Sequence, residues 1–501
     1  MNTYNRLFIL SFLLLSALVS LSAQEQTITI SRHEYEQILH RLEALEKAQD
    51  TLKAQKVDAY SSATRRVDTT QTSADTAQQS RVPRWIHNRL TIGGYGEVAA
   101  KYCFFSNNYL RYGKTPEKYA NDRYGEVDLP HVVINLGYDF GHGWSMGTEI
   151  EFEHGGTESA IEIEEEEGGE YESEIERGGE VALEQFWLQK RFNDYAIIRA
   201  GMQVVPVGAL NANHEPINFF SVYRNEGEYT ILPSTWHEIA LTFMGQTPKG
   251  WHYQVMLLPG LDSDRFNRKN WIKPGAGSPY EFKIANVWAG AARVDYTGVK
   301  GLRLSLSGYA GTSFKNTLSK SLVELKESTY NKVRGLVTIG SFDFAYNDYG
   351  WIVRGNATYG HLGDAAAITQ YNLAMRKGSV SSKQWVASDA MAVGIEAGYD
   401  FFTLSPQLRN QNQRFFVFAR YDFYDSMLLY DGQRNRQYAW CGRQRAAFGI
   451  NYYPIKQIGV KAEFSYGILN KGTRADGTVG KLYNDEPQIA IGIVYAGWFR
   501  P

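Results

Sequence analysis

Past the first twenty-odd residues, the chain lacks any apolar run near the ~20 residues that a membrane-spanning helix needs, which excludes a helical anchor in that stretch. Cysteine is almost absent. Cys103 and Cys441 are the only two, too few for a disulfide scaffold or a cysteine-built zinc cluster. No excess of positive charge exists either: 52 Lys and Arg stand against 54 Asp and Glu, for a net charge of −2, so no nucleic-acid partner is expected. An H-E-x-x-H spacing and a nucleophile motif are both missing, so no enzyme, metal or cofactor is expected.

The chain is rich in tyrosine (33) and glycine (47), and its mean hydropathy is −0.38. That value suits a protein in which half of every strand faces water. Sixteen stretches of every-other-residue hydrophobicity lie between Arg89 and Phe499, separated by gaps that alternate short and long. In the first, Leu90, Ile92, Val98 and Ala100 share one face, and Arg89, Tyr95, Glu97 and Lys101 the other. The strands are expected at 89–102, 127–139, 143–154, 181–192, 195–205, 237–246, 251–258, 285–296, 302–311, 334–346, 350–361, 389–401, 414–425, 443–453, 456–467 and 488–499. The strand at 181–192 alternates poorly. The pattern is that of an all-β transmembrane barrel of sixteen antiparallel strands. Lipid demands an apolar exterior, and hydrocarbon forbids an open edge because an unpaired backbone group there costs several kcal/mol. Short turns belong on the periplasmic side and long loops outside, and an even strand count puts both chain ends in the periplasm. Sixteen strands leave an aqueous channel.

Residues 1–23 read as a signal peptide: Asn5–Arg6, an apolar run from Leu7 to Val19, and Leu21-Ser22-Ala23 before Gln24. Residues 30–55 read as a periplasmic coiled-coil helix, with Tyr35, Ile38, Leu42, Leu45, Gln49 and Leu52 as an a/d seam. It suits a parallel homotrimer or, alternatively, one amphipathic helix. Residues 56–84 read as a flexible linker and 85–501 as the barrel, placed in a Gram-negative outer membrane among lipid and lipopolysaccharide.

Alternation assigns Lys101, Arg199, Arg303, Arg354, Arg420, Arg443, Arg445 and Lys461 to the lumen wall. It also assigns Glu97, Glu149, Glu151, Glu153, Asp343, Glu396, Asp422 and Glu463 there, acids falling more in early strands and bases in later ones. Opposed charge across a lumen creates a transverse field; neighbouring pairs would instead make a neutral wall. The third long connection, 206–236, carries Ile217, Phe219, Phe220, Val222, Tyr223, Ile231 and Trp236, too apolar for a solvated tip. Folded inward, it would bring His214, Glu215, Arg224, Glu226, Glu228 and His237 to a constriction. An outer lid or a subunit contact is the other reading. The second long connection has eleven glutamates from Glu158 to Glu180 and reads as a solvated loop disfavouring anion entry. Cys103 and Cys441 both sit beside outer loops, where a disulfide or two separate thiols are open.

The stretch 182–238, ALEQFWLQKRFNDYAIIRAGMQVVPVGALNANHEPINFFSVYRNEGEYTILPSTWHE, resembles the phosphate-selective porin O and P family, and GYDFGHGWSMGTEIEFEHGG at 137–156 is similar to the same group. The resemblance implies a trimeric sixteen-stranded porin with an inward third loop and, by the family's name, phosphate transport along lumen arginines. Phosphate needs convergent Arg or Lys donors without competing carboxylates, and this lumen is mixed in sign. The expectation is a passive diffusion channel for small hydrophilic solutes or ions. A phosphate or anion channel is the alternative, and a surface adhesin the reading from another class.

Overall fold

The structure is a computed structural model that describes residues 89–104, 123–155, 181–276, 282–374, 384–430, 441–469 and 487–499, with short strand pieces inside the 156–180 and 470–486 connections. The expected signal peptide, coiled-coil helix and linker lie outside the described residues.

The strands are β1 Leu90–Cys103, β2 in two pieces (Tyr124–Asp128 and His131–Gly141), β3 Trp144–Glu153, β4 Val181–Asn193, β5 Ala196–Val204, β6 His237–Gln246, β7 Trp251–Pro259 and β8 Trp288–Val299. They continue as β9 Leu302–Thr312, β10 Leu336–Asp348, β11 Trp351–Leu362, β12 Asp389–Asp400, β13 Arg414–Leu429, β14 Gly442–Ile455, β15 Ile458–Leu469 and β16 Gln488–Phe499. Both pieces of β2 pair with β1, one with Ala99–Cys103 and the other with Leu90–Gly96. Pro130, which has no N–H to give a ladder, interrupts them. Each strand pairs antiparallel with its sequence neighbours, and β1 pairs with β16 from Ile92↔Phe499 to Cys103↔Gln488. The sheet is therefore a closed barrel of sixteen staves with no open edge.

Burial follows the pleat. On β13 Val417, Ala419 and Tyr421 point outward, while Phe416, Phe418, Arg420 and Asp422 point inward and are buried. The outward row of Leu241, Val255, Leu257, Leu306, Ile395 and Ile491 is more than half exposed or nearly so, a display of apolar surface that only lipid would solvate. Aromatic rings collect at the short-turn end, where Trp251 lies 4.7 Å from Tyr296 and Trp351 lies 5.1 Å from Tyr399. This is the interfacial girdle of a membrane barrel.

One expectation, that of an aqueous channel from end to end, changes, for the long connections between β7 and β8, β9 and β10, and β11 and β12 turn inward. Leu261, Phe266, Trp271, Phe314, Ile368 and Val386 fold into the barrel mouth and join one buried cluster with Met256, Ile339 and Tyr424 of the wall. The long-loop end of the lumen is packed along β6 to β14, not water-filled from end to end. Trp271 anchors it: its indole N–H donates to Ala387 O at 3.1 Å, and its ring lies so close over Gly360 that a Cβ there would sit 2.1 Å away. Of the two readings open for the cysteines, the structure has two separate thiols. Cys103 and Cys441 are both buried and unbridged. Cys103 ends β1 and Cys441 precedes β14, three strand spacings around the wall, or roughly 14 Å. A bridge needs Cα atoms within about 7 Å. The acidic connection also differs, for Glu158–Ser159 pairs with Arg177–Gly178 and Glu162–Glu164 with Glu172–Glu174 as antiparallel ladders.

Trp271→Ala removes a fully buried side chain, a loss of about 3–5 kcal/mol from the inner core. The barrel, held by its own ladder, should keep its heat-modifiable mobility on gels. The 260–287 connection should become cleavable by trypsin at Arg268 or Lys269. A digestion pattern equal to that of the unmodified protein would show that the core does not depend on this ring.

Candidate functional site

The third long connection, residues 205–236, crosses the lumen. It leaves β5 through buried Val205 and Val207 and forms a short helix α1, Ala209–Ala212. A 3-10 turn at Pro216–Asn218 follows, then a helix α2, Glu226–Ile231, and the chain returns through Leu232 and Trp236. Glu228 ties the loop to itself and to the wall. One carboxylate oxygen accepts from the Ala209 and Leu210 amides at 2.8 and 2.9 Å. The other accepts from the Thr358 hydroxyl of β11 at 2.6 Å and from Ser341 of β10 at 3.4 Å. Gly208 stands here with φ +86°, and a Cβ on it would meet the Glu228 carboxylate at 3.0 Å.

The middle of the loop is clasped by later staves. Lys461 of β15 is fully buried, and its ammonium donates to the carbonyls of Pro216, Phe219 (2.7 Å) and Ser221 (2.9 Å). These three acceptors match its three donors. Phe220 N donates to Glu396 of β12 at 3.2 Å, Val222 N to Glu463 of β15 at 3.3 Å, and Asn451 of β14 donates to Phe220 O at 2.9 Å. The Phe220 ring stacks on Phe418 at 5.3 Å, and a Cβ on Gly398 would sit 2.5 Å from it. Glu226 takes the Tyr424 hydroxyl at 2.5 Å and ion-pairs with Arg445 at 2.9 Å. Burial alone would raise the Glu226 carboxyl, but the Arg445 charge and the Tyr424 hydroxyl hold it at about 2.

The later wall neutralises itself. Arg293 of β8 and Arg303 of β9 share Asp343 at 2.9 and 3.0 Å. Arg354 pairs with Glu396 at 2.5 Å, and Arg420 with Asp422 at 3.1 Å and Asn225 at 2.9 Å. Arg303 also donates to Asn213 of the loop at 3.1 Å. Arg443 faces inward on β14, opposite Tyr424. Arg199 lies over the Trp187 ring at 4.0 Å and donates to Gln189. On the other side, Lys101 pairs with Glu126 at 2.7 Å.

The early wall is acidic. Glu97, Glu149, Glu151 and Glu184 are all buried on β1, β3 and β4. His131 of β2 lies 2.6 Å from Glu97 and 3.8 Å from Glu151, and Arg224 of the loop reaches Glu151 at 3.9 Å. His214 lies 3.8 Å from Glu149. Two groups bring possible metal-ligand atoms within 4.8 Å of one another: His131, Glu151 and Glu153, and Glu149, Glu184 and His214.

Of the six residues expected at the constriction, His214, Arg224, Glu226 and Glu228 meet the wall inside the lumen. Glu215 stands beside them at the start of the 3-10 turn. His237 does not join them. It opens β6 in the outward register of Ile239, Leu241 and Phe243, and Glu238 is the inward residue, paired with Lys283 at 2.8 Å. Glu184, Arg293 and Asn451 were missed. Asn451 stands opposite Lys461, which alternation did place, and Arg293 shares the inward face of β8 with Asp295, whereas Glu184 is hidden by a register shift on β4. Beneath the loop, toward the short turns, lies a cavity of about 400 Å³ whose lining includes Asn213, Arg303, Arg354, Asn356, Glu396 and Asp422.

No family model matches the chain. An uncharacterized protein of Aquifex aeolicus (strain VF5) is 24% identical over 384 residues, covering 75% of each chain. Among solved structures, the fold is similar to Salmonella typhi OmpF in complex with daunomycin, with a TM-score of 0.46 and 12% identity over 82% of this chain and 97% of that one. It is also similar to Pseudomonas putida OprB, with a TM-score of 0.46 and 10% identity over 81% and 94%. An anion-selective porin from Comamonas acidovorans gives a TM-score of 0.44 and 11% identity over 81% and 99%.

Lys461→Met keeps the length of the side chain but strips three buried carbonyls of their donor, each loss worth about 1–3 kcal/mol. The loop should detach from β15 while the barrel persists. In planar bilayers the expected result is a larger and noisier single-channel conductance than that of the unmodified protein. An unchanged conductance would mean that the loop does not limit the passage.

Proposed function

We propose that the protein is an outer-membrane porin, a passive channel for small hydrophilic solutes or ions, throttled by the 205–236 loop and preferring cations. One observation carries the reading: the closed barrel has an apolar outer face and an inner face with charged side chains, some of which, among them Arg303, Arg354, Glu396 and Asp422, border a cavity of mixed lining. Soluble packing does not produce that inversion. The inward loop divides the lumen, so solute size is filtered by a polypeptide held in place and not by wall spacing alone. The reading invokes no catalytic step and no energy source.

Cation preference follows from charge pairing. Arg293, Arg303, Arg354, Arg420 and Arg445 each contact a carboxylate. Among the described residues the early wall sets Glu97, Glu149, Glu151 and Glu184 against one guanidinium, Arg224, with His131 and His214 beside Glu97 and Glu149. The phosphate selectivity of the porin family that the sequence resembles would require guanidiniums converging on an anion. Those five are engaged with carboxylates instead. An adhesin is less well supported, because Ile231, Trp236, Leu261, Phe266, Trp271, Phe314, Ile368 and Val386 of the long connections turn into the barrel. A homotrimer with periplasmic termini completes the proposal.

Purified protein in planar bilayers should give ohmic steps, with a reversal potential of cation-selective sign in a KCl gradient. Added inorganic phosphate should not block the current. Absence of channels would end the porin reading, and an anion-selective reversal potential with phosphate block would replace it with the anion channel.

A further inference from the structure

The poor alternation of β4 has a structural cause. In its ladder with β3, Glu149 pairs with Gln185 and Ile150 with Leu183, so Glu184 has no opposite residue. This is a β-bulge, which bends a strand and re-aims its side chains. Leu183 and Phe186 still face outward, and the two residues between them both turn toward the lumen. The Gln185 amide then occupies Glu149 Oε2, leaving Glu149 Oε1 for the lumen side.

His214 arrives from the loop at this point. Its Nδ1 lies 3.0 Å from the carbonyl of Asn211. A carbonyl only accepts, so Nδ1 carries a proton, which leaves Nε2 as the nitrogen turned to the carboxylates and able to give a lone pair to a metal. Among the described residues that nitrogen has no hydrogen-bond partner, and neither has Glu184 Oε2. His214, Glu149 and Glu184 are 9%, 5% and 1% exposed. A lone pair and two carboxylates are thus gathered out of water, with their donor atoms within 4.8 Å of one another. Burying such acceptors together is costly unless a cation joins them. Arg224 lies 3.9 Å from Glu151 with its Nε and Nη2 without a hydrogen-bond partner among the described residues, so its single charge offsets only part of this cluster, and His131 is taken by Glu97. A proton on Nε2 is a poor substitute, because 3.8 Å to Glu149 is too long for a hydrogen bond.

From this geometry we propose that Glu149, Glu184 and His214 bind one divalent transition-metal ion. One imidazole with two carboxylates suits Zn²⁺, Mn²⁺, Fe²⁺ or Co²⁺ better than Mg²⁺ or Ca²⁺, which take oxygen ligands. Tetrahedral bonds of about 2.0–2.1 Å would hold the donors roughly 3.4 Å apart, so the side chains need to draw in by about 1 Å or less. The bond from Nδ1 to a backbone carbonyl is the outer contact that fixes the tautomer of metal-binding histidines. Two ligands come from the wall and one from the loop. The ion would staple the entry of the loop to β3 and β4, on the side that Lys461 does not reach. This site does not depend on the porin reading.

The test uses full-length, tag-free protein in detergent, stripped with chelator and titrated with Zn²⁺ by calorimetry, with metal analysis of the dialysed product. One Zn²⁺ per chain is expected, with micromolar or tighter affinity. His214→Ala and Glu184→Gln should each weaken it at least tenfold, and Glu153→Gln should leave it unchanged. Heat-modifiable mobility establishes that each variant has folded. Should His214→Ala fail to fold, X-ray absorption at the zinc edge of the unmodified protein decides, since one imidazole in a nitrogen and oxygen shell is expected. No stoichiometric uptake, full affinity in a folded His214→Ala variant, or a shell without imidazole (as the acidic 158–180 stretch would give) overturns the proposal.

Discussion

Everything in this molecule depends on the closure of one hydrogen-bond ladder. A polypeptide that turns apolar side chains outward along its whole girth can persist only where lipid covers them, and there no backbone N–H or C=O can be left unpaired. The twelve register pairs between β1 and β16 remove the last edge. Once the ring is closed, the pleat leaves no freedom. Each outward Val417 or Ile491 obliges its neighbours to face in, and the inner face becomes the only place for Arg, Lys, Glu and Asp.

That obligation creates a second problem, which the third loop answers. Charges confined inside a barrel are held away from bulk water and need partners. The loop supplies them from its main chain. Its carbonyls at 216, 219 and 221 receive Lys461, and its amides at 220 and 222 give to Glu396 and Glu463. The wall and the loop therefore satisfy each other, and the apolar residues of the loop fill the gaps between these bonds. The loop is less an insertion into a finished barrel than the polar complement of its inner face. Its central backbone follows the later wall because that is where the unmatched donors and acceptors stand.

The barrel was legible in the sequence because its constraint is repeated sixteen times. Period-two alternation placed every stave within a few residues, and the alternation of short and long gaps separated the turns from the loops. The apolar content of 206–236 announced an inward loop. What failed to show had no periodic signature. The Trp271 and Phe314 connections carry too few apolar residues in sequence to separate an inner core from an outer surface, and only their convergence from three loops makes the core. Pairing of the later arginines depends on cross-strand register, which alternation does not give. Glu184 was invisible for a sharper reason. A bulge inverts the parity of every residue on one side of it, so the strand that carries Glu184 looked only like a strand of poor quality.

The two walls also differ in what they can do to a passing ion. In a ring of sixteen staves β3 stands eight positions from β11, so the acidic wall and the arginine wall face each other across the lumen. If both were unpaired, the field between them would be large and would orient any dipole. But the guanidiniums at Arg354, Arg420 and Arg445 each end on a carboxylate a few ångströms away, and such pairs present only a short-range dipole. The early wall does not cancel in this way, since its glutamates sit along β1, β3 and β4 with their few cations spent one at a time. The two walls therefore balance their charge differently, by arginine and carboxylate pairs beside β11 to β14 and by fewer, mostly longer contacts beside β1 to β4. On the reading proposed above, a permeating cation is drawn toward the early wall, where His214 and Arg224 hang from the loop. The sign of the passage then rests on how each wall balances its own charges, not on the total charge of the chain.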